Sequence, residues 1–327
     1  MLGGGIVFIL SLVAVAGARS FVVLLAAFTV FFPASGAFVS LTQAELMDVW
    51  PDRQPQVMVR WDLAGSTGAV AGPLLLAAVL AAGGGWRVAY LVLAAVAAVT
   101  WLGTCRCEPR AVSPAAPTPA AAADATGDPE PSAASISRLR AVLAALRDWS
   151  TVRWACVTVV ADLLVDVLTG FLALYLVDVA HLTPAIAALA IAVRLASGLA
   201  GDAALVFVLD RVTDVTVLRA SAAAAALLYP GFLLVPGPAA KLVVLAVLSA
   251  ATAPWYPLLQ ARLYGSLPGR SSVAVTLSSA AGLAGGLGPL AVGLIAEAAG
   301  LSWALAVPAV VPVAVLAGSA GAGPAGQ

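Results

Sequence analysis

The sequence predicts an all-α polytopic membrane protein made of two helical bundles related by a parallel internal repeat. Three observations predict it. The chain of 327 residues is 62% hydrophobic and 10% charged, with a mean hydropathy of +1.04, whereas soluble domains carry about 25% charged residues. The apolar residues fall in successive stretches long enough for a helix rising ~1.5 Å per residue to cross a ~30 Å hydrocarbon layer. Several landmarks recur at a separation of 217 residues. Lipid offers no partner for backbone N–H and C=O groups, so spans are helices or closed barrels. Long runs of Ala, Leu and Val without alternation exclude the barrel.

Ten spans are expected, near residues 3–18, 20–46, 57–82, 86–104, 153–177, 183–209, 216–235, 238–262, 271–296 and 301–319. Short interruptions with turn or charge signals separate most of them: Ala18-Arg19-Ser20, Gly83-Gly84-Gly85-Trp86-Arg87, His181-Leu182-Thr183-Pro184 and Pro236-Gly237-Pro238. One connection is different. From Arg106 to about Thr151 the chain is rich in Pro, Ala, Ser and Asp and cannot bury enough apolar area to fold alone. Within it, Ser135 to Trp149 places Ile136, Leu139, Val142, Leu143 and Leu146 against Arg138, Arg140, Arg147 and Asp148, a pattern suited to a helix on the membrane surface. The expected organisation is a four-helix bundle over 1–104, a cytoplasmic linker over 105–151, a six-helix bundle over 152–320 and a disordered tail over 321–327.

Orientation follows from the basic residues, because cytoplasmic loops hold the excess of Lys and Arg. With Met1 inside, Arg53, Arg60, Arg106, Arg110, Arg138, Arg140, Arg147, Arg153, Arg211, Arg219, Arg262 and Arg270 are cytoplasmic, against Arg19, Arg87 and Lys241 outside. Both termini are then cytoplasmic in a multi-pass protein of the cell membrane. The three cysteines, Cys105, Cys107 and Cys156, are too few for a disulfide framework or a four-ligand zinc site.

The repeat fixes the architecture. Gln43-Ala44-Glu45-Leu46 with Pro51-Asp52-Arg53 recurs as Gln260-Ala261-Arg262-Leu263 with Pro268-Gly269-Arg270; Trp86 recurs as Trp303, and Gly72-Pro73 as Gly288-Pro289 within one residue of the same offset. Equivalent spans point the same way, which expects an axis along the membrane normal and disfavours two inverted five-helix halves. Met1 stands opposite Leu218, so the counterparts of residues 153–217 are expected to be missing from the first half.

Here the chain resembles the major facilitator superfamily, whose members have two six-helix halves joined by a long cytoplasmic loop. The resemblance covers residues 3–319 and implies that ten of twelve helices are present, the first two lying upstream of Met1 or truly lost. Gly68-x-x-x-Gly72-Pro73 looks like the glycine and proline motif of the family's antiporters, with Leu75 and Leu76 where a glycine pair is expected. Gly198 to Arg211, containing Gly201, Asp202, Asp210 and Arg211, is a loose counterpart of the family's signature loop. The overall texture is similar to fosmidomycin-resistance-like and related drug exporters. The resemblance implies a secondary active transporter for a small organic solute, working by alternating access, with proton-coupled efflux as antiport.

Ionisable groups inside a span are costly and mark candidate functional sites. Asp162 and Asp166, at i and i+4 of the fifth span, share a stripe with Thr158 and Thr169. Arg194 and Asp166 each lie about 11 residues from the turn between their spans, so they are expected at similar depth, about 16 Å in. Pairing Asp166 with Arg194 offsets part of the cost of both charges and leaves Asp162 as the freer carboxylate. Asp162 then either carries a proton during transport or has a structural hydrogen-bonding role.

By the resemblance, the second, fifth and eighth spans line a central cavity. The eighth carries Trp255, Tyr256 and Gln260, and the second Thr42, Gln43 and Glu45. Trp255 and Tyr256 suit an amphipathic solute but equally suit packing. Gln43, Glu45, Gln260 and Arg262 lie near the cytoplasmic boundary and are inner-gate candidates. Gly68 and Gly72, with Gly288, are small enough for close helix approach, and Pro73 and Pro289 are expected to bend their helices. His181 falls in an external turn without an expected role. No Ser/His/Asp set, phosphate loop or metal-ligand cluster appears in the sequence, so enzyme chemistry, a cofactor and a bound metal are not expected. The zero net charge gives no field for nucleic acid. The expected partners are a small-molecule substrate, protons and the lipid bilayer, for a monomer. The rival reading is a non-transporting truncated paralogue or membrane scaffold.

Overall fold

A computed structural model describes residues 2–106, 142–267 and 271–320. All regular structure among these residues is helical. In chain order the helices are α1 (Leu2–Gly17), α2 (Phe21–Val49), α3 (Gln54–Ala81), α4 (Trp86–Arg106), α5 (Trp149–Leu174), α6 (Pro184–Val208) and α7 (Asp214–Leu234), followed by α8 (Pro238–Thr252), α9 (Trp255–Gly265), α10 (Ser271–Gly285), α11 (Leu287–Ala299), α12 (Leu301–Ala306) and α13 (Val311–Ser319). They form nine apolar segments of membrane-crossing length plus the shorter Gly5–Gly17. Nine of the ten expected spans are matched by these segments and the first by the shorter helix, with ends that move by a few residues. Residues 107–141 of the linker, with Cys107 and the first part of the Ser135–Trp149 helix, and the tail lie outside the described residues.

The spans are less uniform than their hydropathy suggests. The eighth breaks between α8 and α9 at Ala253 and Pro254, the ninth at Gly286, and the tenth passes through a 3-10 turn, Val307–Val310, which contains Pro308 and is followed by Pro312. Proline lacks a backbone donor and clashes with the preceding turn, so each break falls where the helical ladder is weakest. Pro289 sits in the first turn of α11, just after the Gly286 break, where its missing N–H costs least. Pro73, by contrast, lies inside an uninterrupted α3.

Two compact units divide the chain: Met1–Glu45 with Ala71–Arg140, and Leu46–Val70 with Ala141–Gln327. The boundary inside α3 falls between Val70 and Ala71, next to Gly72-Pro73. In the smaller unit α1 packs on α4. A Cβ at Gly5 would overlap the Trp101 ring, so glycine permits that approach. An aromatic cluster fills the unit. Phe8 stacks on Phe31 at 5.6 Å and on Phe38 at 6.0 Å, Phe28 meets Tyr90 edge-on, and Tyr90 meets Trp86 edge-on. The Arg87 guanidinium lies 4.5 Å from the Trp86 ring and donates to the Ala18 carbonyl at 2.9 Å, which closes the end of α1.

In the larger unit α5 is central and packs against α6, α9, α10, α11 and α13, while α8 packs on α6 and α7. Trp154, Val157, Ala161, Leu164, Leu168 and Leu172 recur every three or four residues along α5 and are buried, the spacing of one helix face. Lipid tails are as apolar as leucine, so van der Waals fit rather than water exclusion holds such helices together. Small buried residues supply that fit: Ala187, Ala190, Ala222 and Ala225 are sealed, and Gly201 of α6 presses on α8. Large residues on the outer faces remain uncovered, Leu227 at 79% and Leu234 at 82% exposed, as a lipid-facing surface requires.

Polar side chains secure the helix ends. Lys241 is buried and donates to the carbonyls of Phe232 at 2.8 Å and Leu233 at 3.2 Å, the last turn of α7, and to the Tyr175 hydroxyl at 3.0 Å. Arg153 and Arg219 donate to the carbonyls of Ala320 and Ser319 at 3.3 and 2.6 Å, placing positive charge at the C-terminus of α13. Asp148 caps α5, accepting from the N–H groups of Ser150 and Thr151 and from the Thr151 hydroxyl. The hydroxyl bond, more than the backbone bonds, holds the Asp148 carboxyl below the usual carboxylate range.

Candidate functional site

Asp162, Asp166 and Thr169 run along α5 beside its buried face. Asp162 is half-buried, and Asp166 and Thr169 are uncovered. The carboxyls lie one helical turn apart and act on one another electrostatically, and neither accepts a hydrogen bond from a described residue. The threonines take care of themselves: Thr158, buried, donates to the Trp154 carbonyl at 2.9 Å, and Thr169 to that of Val165 at 2.6 Å. The stripe therefore leaves both carboxylates without donors among the described residues, on a helix whose other side is sealed.

Arg194 of α6 completes the group from across the α5–α6 hairpin. Its terminal nitrogen donates to the Val165 carbonyl at 3.3 Å, next to Asp166 in the chain. Asp166 and Arg194 act on one another electrostatically without an ion pair in direct contact. Gly288 of α11 lies against Leu163, so a side chain there would press on the turn that carries Asp162.

The two aromatics of α9 separate. Trp255 is 1% exposed, with its indole N–H donated to the Ser221 hydroxyl at 3.0 Å, so it belongs to the packing of the unit. Tyr256 is half-buried and stacks on Trp61 of α3 with ring centroids 6.5 Å apart. One turn further, Gln260 is buried and its side-chain oxygen accepts from the Ser278 hydroxyl of α10 at 3.3 Å. Arg262 is held by Asp214 of α7 through two bonds, at 2.6 and 2.7 Å. In the other unit Gln43 is buried on α2 and Glu45 is exposed.

The glycines behave differently from one another. Beyond the backbone of α3 itself, no atom of a described residue stands within 4 Å of where a Cβ at Gly68 or Gly72 would lie, so neither is pressed by a described neighbouring helix in this conformation. Gly201 is: a Cβ there would stand 2.8 Å from the Ala250 carbonyl oxygen.

Sequence reasoning left several polar groups aside. Asp62, and Asp202, which the sequence places only within the Gly198–Arg211 stretch, both lie inside expected spans, and the rule that singled out Asp162 reaches them. The Ser66 hydroxyl donates to one oxygen of Asp202, which is 3% exposed, and the other oxygen is buried with no partner among the described residues. Asp214 opens a helix, where an acidic residue is ordinary. An open groove is lined by Asp52, Gln56, Arg211, Thr213 and Asp214, near the ends of α3, α6 and α7 and apart from Asp162 on α5.

The Major Facilitator Superfamily model matches residues 1–276. Two solved structures are similar over 97% of this chain, each with a TM-score of 0.71. One is a Major Facilitator Superfamily transporter, FucP, in the outward conformation, at 16% identity over 81% of its length. The other is the E. coli fucose:proton symporter FucP, at 15% identity over 82% of its length. No curated protein matches. At such identities the two structures speak for the fold alone, and the family model covers most of the sequence. This chain, a multi-pass membrane protein, belongs to the Major Facilitator Superfamily.

Proposed function

We propose that this protein is a secondary active transporter that exports a small organic solute across the cell membrane in exchange for protons, by alternating access. Asp162 carries the proton, Asp166 and Arg194 set its electrostatic surroundings, and Thr169 and Tyr256 face the solute. Trp255 shapes the site from behind. Both termini are cytoplasmic, and Gln43, Glu45, Gln260 and Arg262 work at the inner gate. The observation that carries this reading is the stripe on α5: two carboxyls inside an apolar span, with no donor among the described residues, near a guanidinium that donates to a main-chain carbonyl. An ionisable group in such a place is kept at a cost of several kcal/mol, which a role in moving charge explains. The coupling ion named for FucP is a proton, and that supports the same ion here. The direction, efflux, rests on the Gly68-x-x-x-Gly72-Pro73 resemblance to antiporters.

Inverted membrane vesicles with an acid interior and a pH-sensitive dye test this reading. A panel of amphipathic drugs including fosmidomycin and ethidium is added in turn. At least one compound is expected to release protons in vesicles containing the protein and not in controls. No proton release with any of them, together with no accumulation of labelled compound, contradicts exchange with protons.

A further inference from the structure

We infer that Asp62 of α3 and Asp202 of α6 form a second proton-binding site, in which the two carboxyls hold one proton between them, apart from the Asp162 stripe. The geometry begins with Asp202. Its side chain is sealed at 3% exposure; one oxygen accepts the Ser66 hydroxyl, and the other is buried with no donor among the described residues. A buried acceptor left bare is rare in proteins and asks for a missing donor. Asp62 lies one turn before Ser66 on the same helix and acts on Asp202 electrostatically. It makes no hydrogen bond or ion pair with a described residue.

No other described residue supplies the donor. On α3 the adjacent basic residue, Arg60, is exposed. On α6 Arg194 is two turns away and bonded to Val165. Ala250 of α8 and Ala253 of the following break press on Gly201 and present no polar side chain there. On α9, Tyr256 stacks on Trp61 and Arg262 is bound by Asp214. The Gly201 contact also fixes the rotation of α6, so Asp202 is held towards α3. Asp62 is eight residues from the start of α3 and Asp202 six from the end of α6, about 9–12 Å into the span from the same side. Two carboxylates in such a place do not both ionise. One proton taken from water converts the pair from two negative charges to one, and the new O–H supplies the donor that the bare oxygen lacks. The Ser66 proton stays on its oxygen.

This site does not depend on transport or on Asp162, and its test reads the proton directly. Infrared spectra of the purified, reconstituted protein in H₂O and D₂O at neutral pH count protonated carboxyls by their deuterium-sensitive C=O stretch. Asp62→Asn is expected to remove one protonated carboxyl per chain, because the asparagine amide gives Asp202 a donor without a proton. Asp62→Leu, which gives no donor, is expected to keep it. Asp162→Asn is expected to leave this band in place. Ser66→Ala, which keeps both carboxyls, is expected to shift the band and serves where an Asp62 variant fails to fold. A spectrum unchanged by both Asp62→Asn and Ser66→Ala overturns the proposal. So does a band that vanishes when sodium chloride replaces choline chloride, which would make the pair a cation site.

Discussion

Arg262 grips Asp214 with two parallel hydrogen bonds, Nε to Oδ2 at 2.6 Å and a terminal nitrogen to Oδ1 at 2.7 Å, in a pair that is 13% and 6% exposed. This fork ties the N-terminus of α7 to α9, and the guanidinium also lies 5.7 Å from the Trp154 ring of α5. Three helices are thus joined at one end by one side chain.

Removing one member of such a pair strands the other as a buried charge. Arg262→Ala and Asp214→Ala are each expected to destabilise the protein by about 3–5 kcal/mol, whereas the double variant with apolar replacements loses less than the sum. Thermal unfolding in detergent checks this. Equal melting temperatures for all three variants and the parent would mean that the pair is ornamental.

Asp148 gives a prediction with a sign in pH. Its folded pKa is depressed, first by the Thr151 hydroxyl, so its contribution is present above the unfolded carboxylate range and is lost as pH falls through the folded value. Because the side chain is exposed, the effect is screened. Asp148→Ala is expected to cost about 1 kcal/mol near neutral pH, the worth of an N-cap, and to match the parent in strong acid. A cost that persists unchanged into acid would point to packing instead.

The glycines divide by contact. Gly201→Leu drives a side chain into the Ala250 backbone, and a loss of about 1–3 kcal/mol or more is expected. Gly68→Ala enters open space and trades a poor helix former for the best one, so stability is expected to hold or rise by up to about 1 kcal/mol. If Gly68→Ala keeps its melting temperature and loses transport, its role is in motion. If it unfolds, this account of the open face of α3 is wrong.

Much of the fold was legible because hydropathy and length alone decide where a helix crosses a bilayer, and all ten expected spans have a helical counterpart. The proline breaks were harder to read. Pro73 and Pro289 look alike in sequence, yet Pro73 lies in a continuous helix and Pro289 follows a break at Gly286, because two adjacent glycines, Gly285 and Gly286, weaken the ladder there. The candidate site was legible in part. Asp162, Asp166 and Arg194 stand out as charges in apolar runs, and the structure brings them to one hairpin. Burial separated Trp255 from Tyr256, and periodicity does not report burial for adjacent residues. Asp202 and Ser66 lie 136 residues apart in sequence, so no spacing along one helix announces their bond.

Lys241 is expected to matter more than an isolated interfacial lysine. Lys241→Met removes the donor shared by two terminal carbonyls of α7 and the Tyr175 hydroxyl. The expected loss is about 1–3 kcal/mol, the cost of leaving buried acceptors bare, and Lys241→Arg is expected to recover part of it. A stable Lys241→Met variant would show that water reaches those carbonyls.

The most direct test of the account is proton-driven transport by Asp162→Asn in proteoliposomes, using a compound found to release protons from the vesicles. In this variant a pH gradient is expected no longer to drive accumulation, with a fall of at least about tenfold, while exchange of labelled for unlabelled compound without a gradient continues. Gradient-driven accumulation at the parent level in Asp162→Asn would contradict this expectation and remove Asp162 from the coupling mechanism.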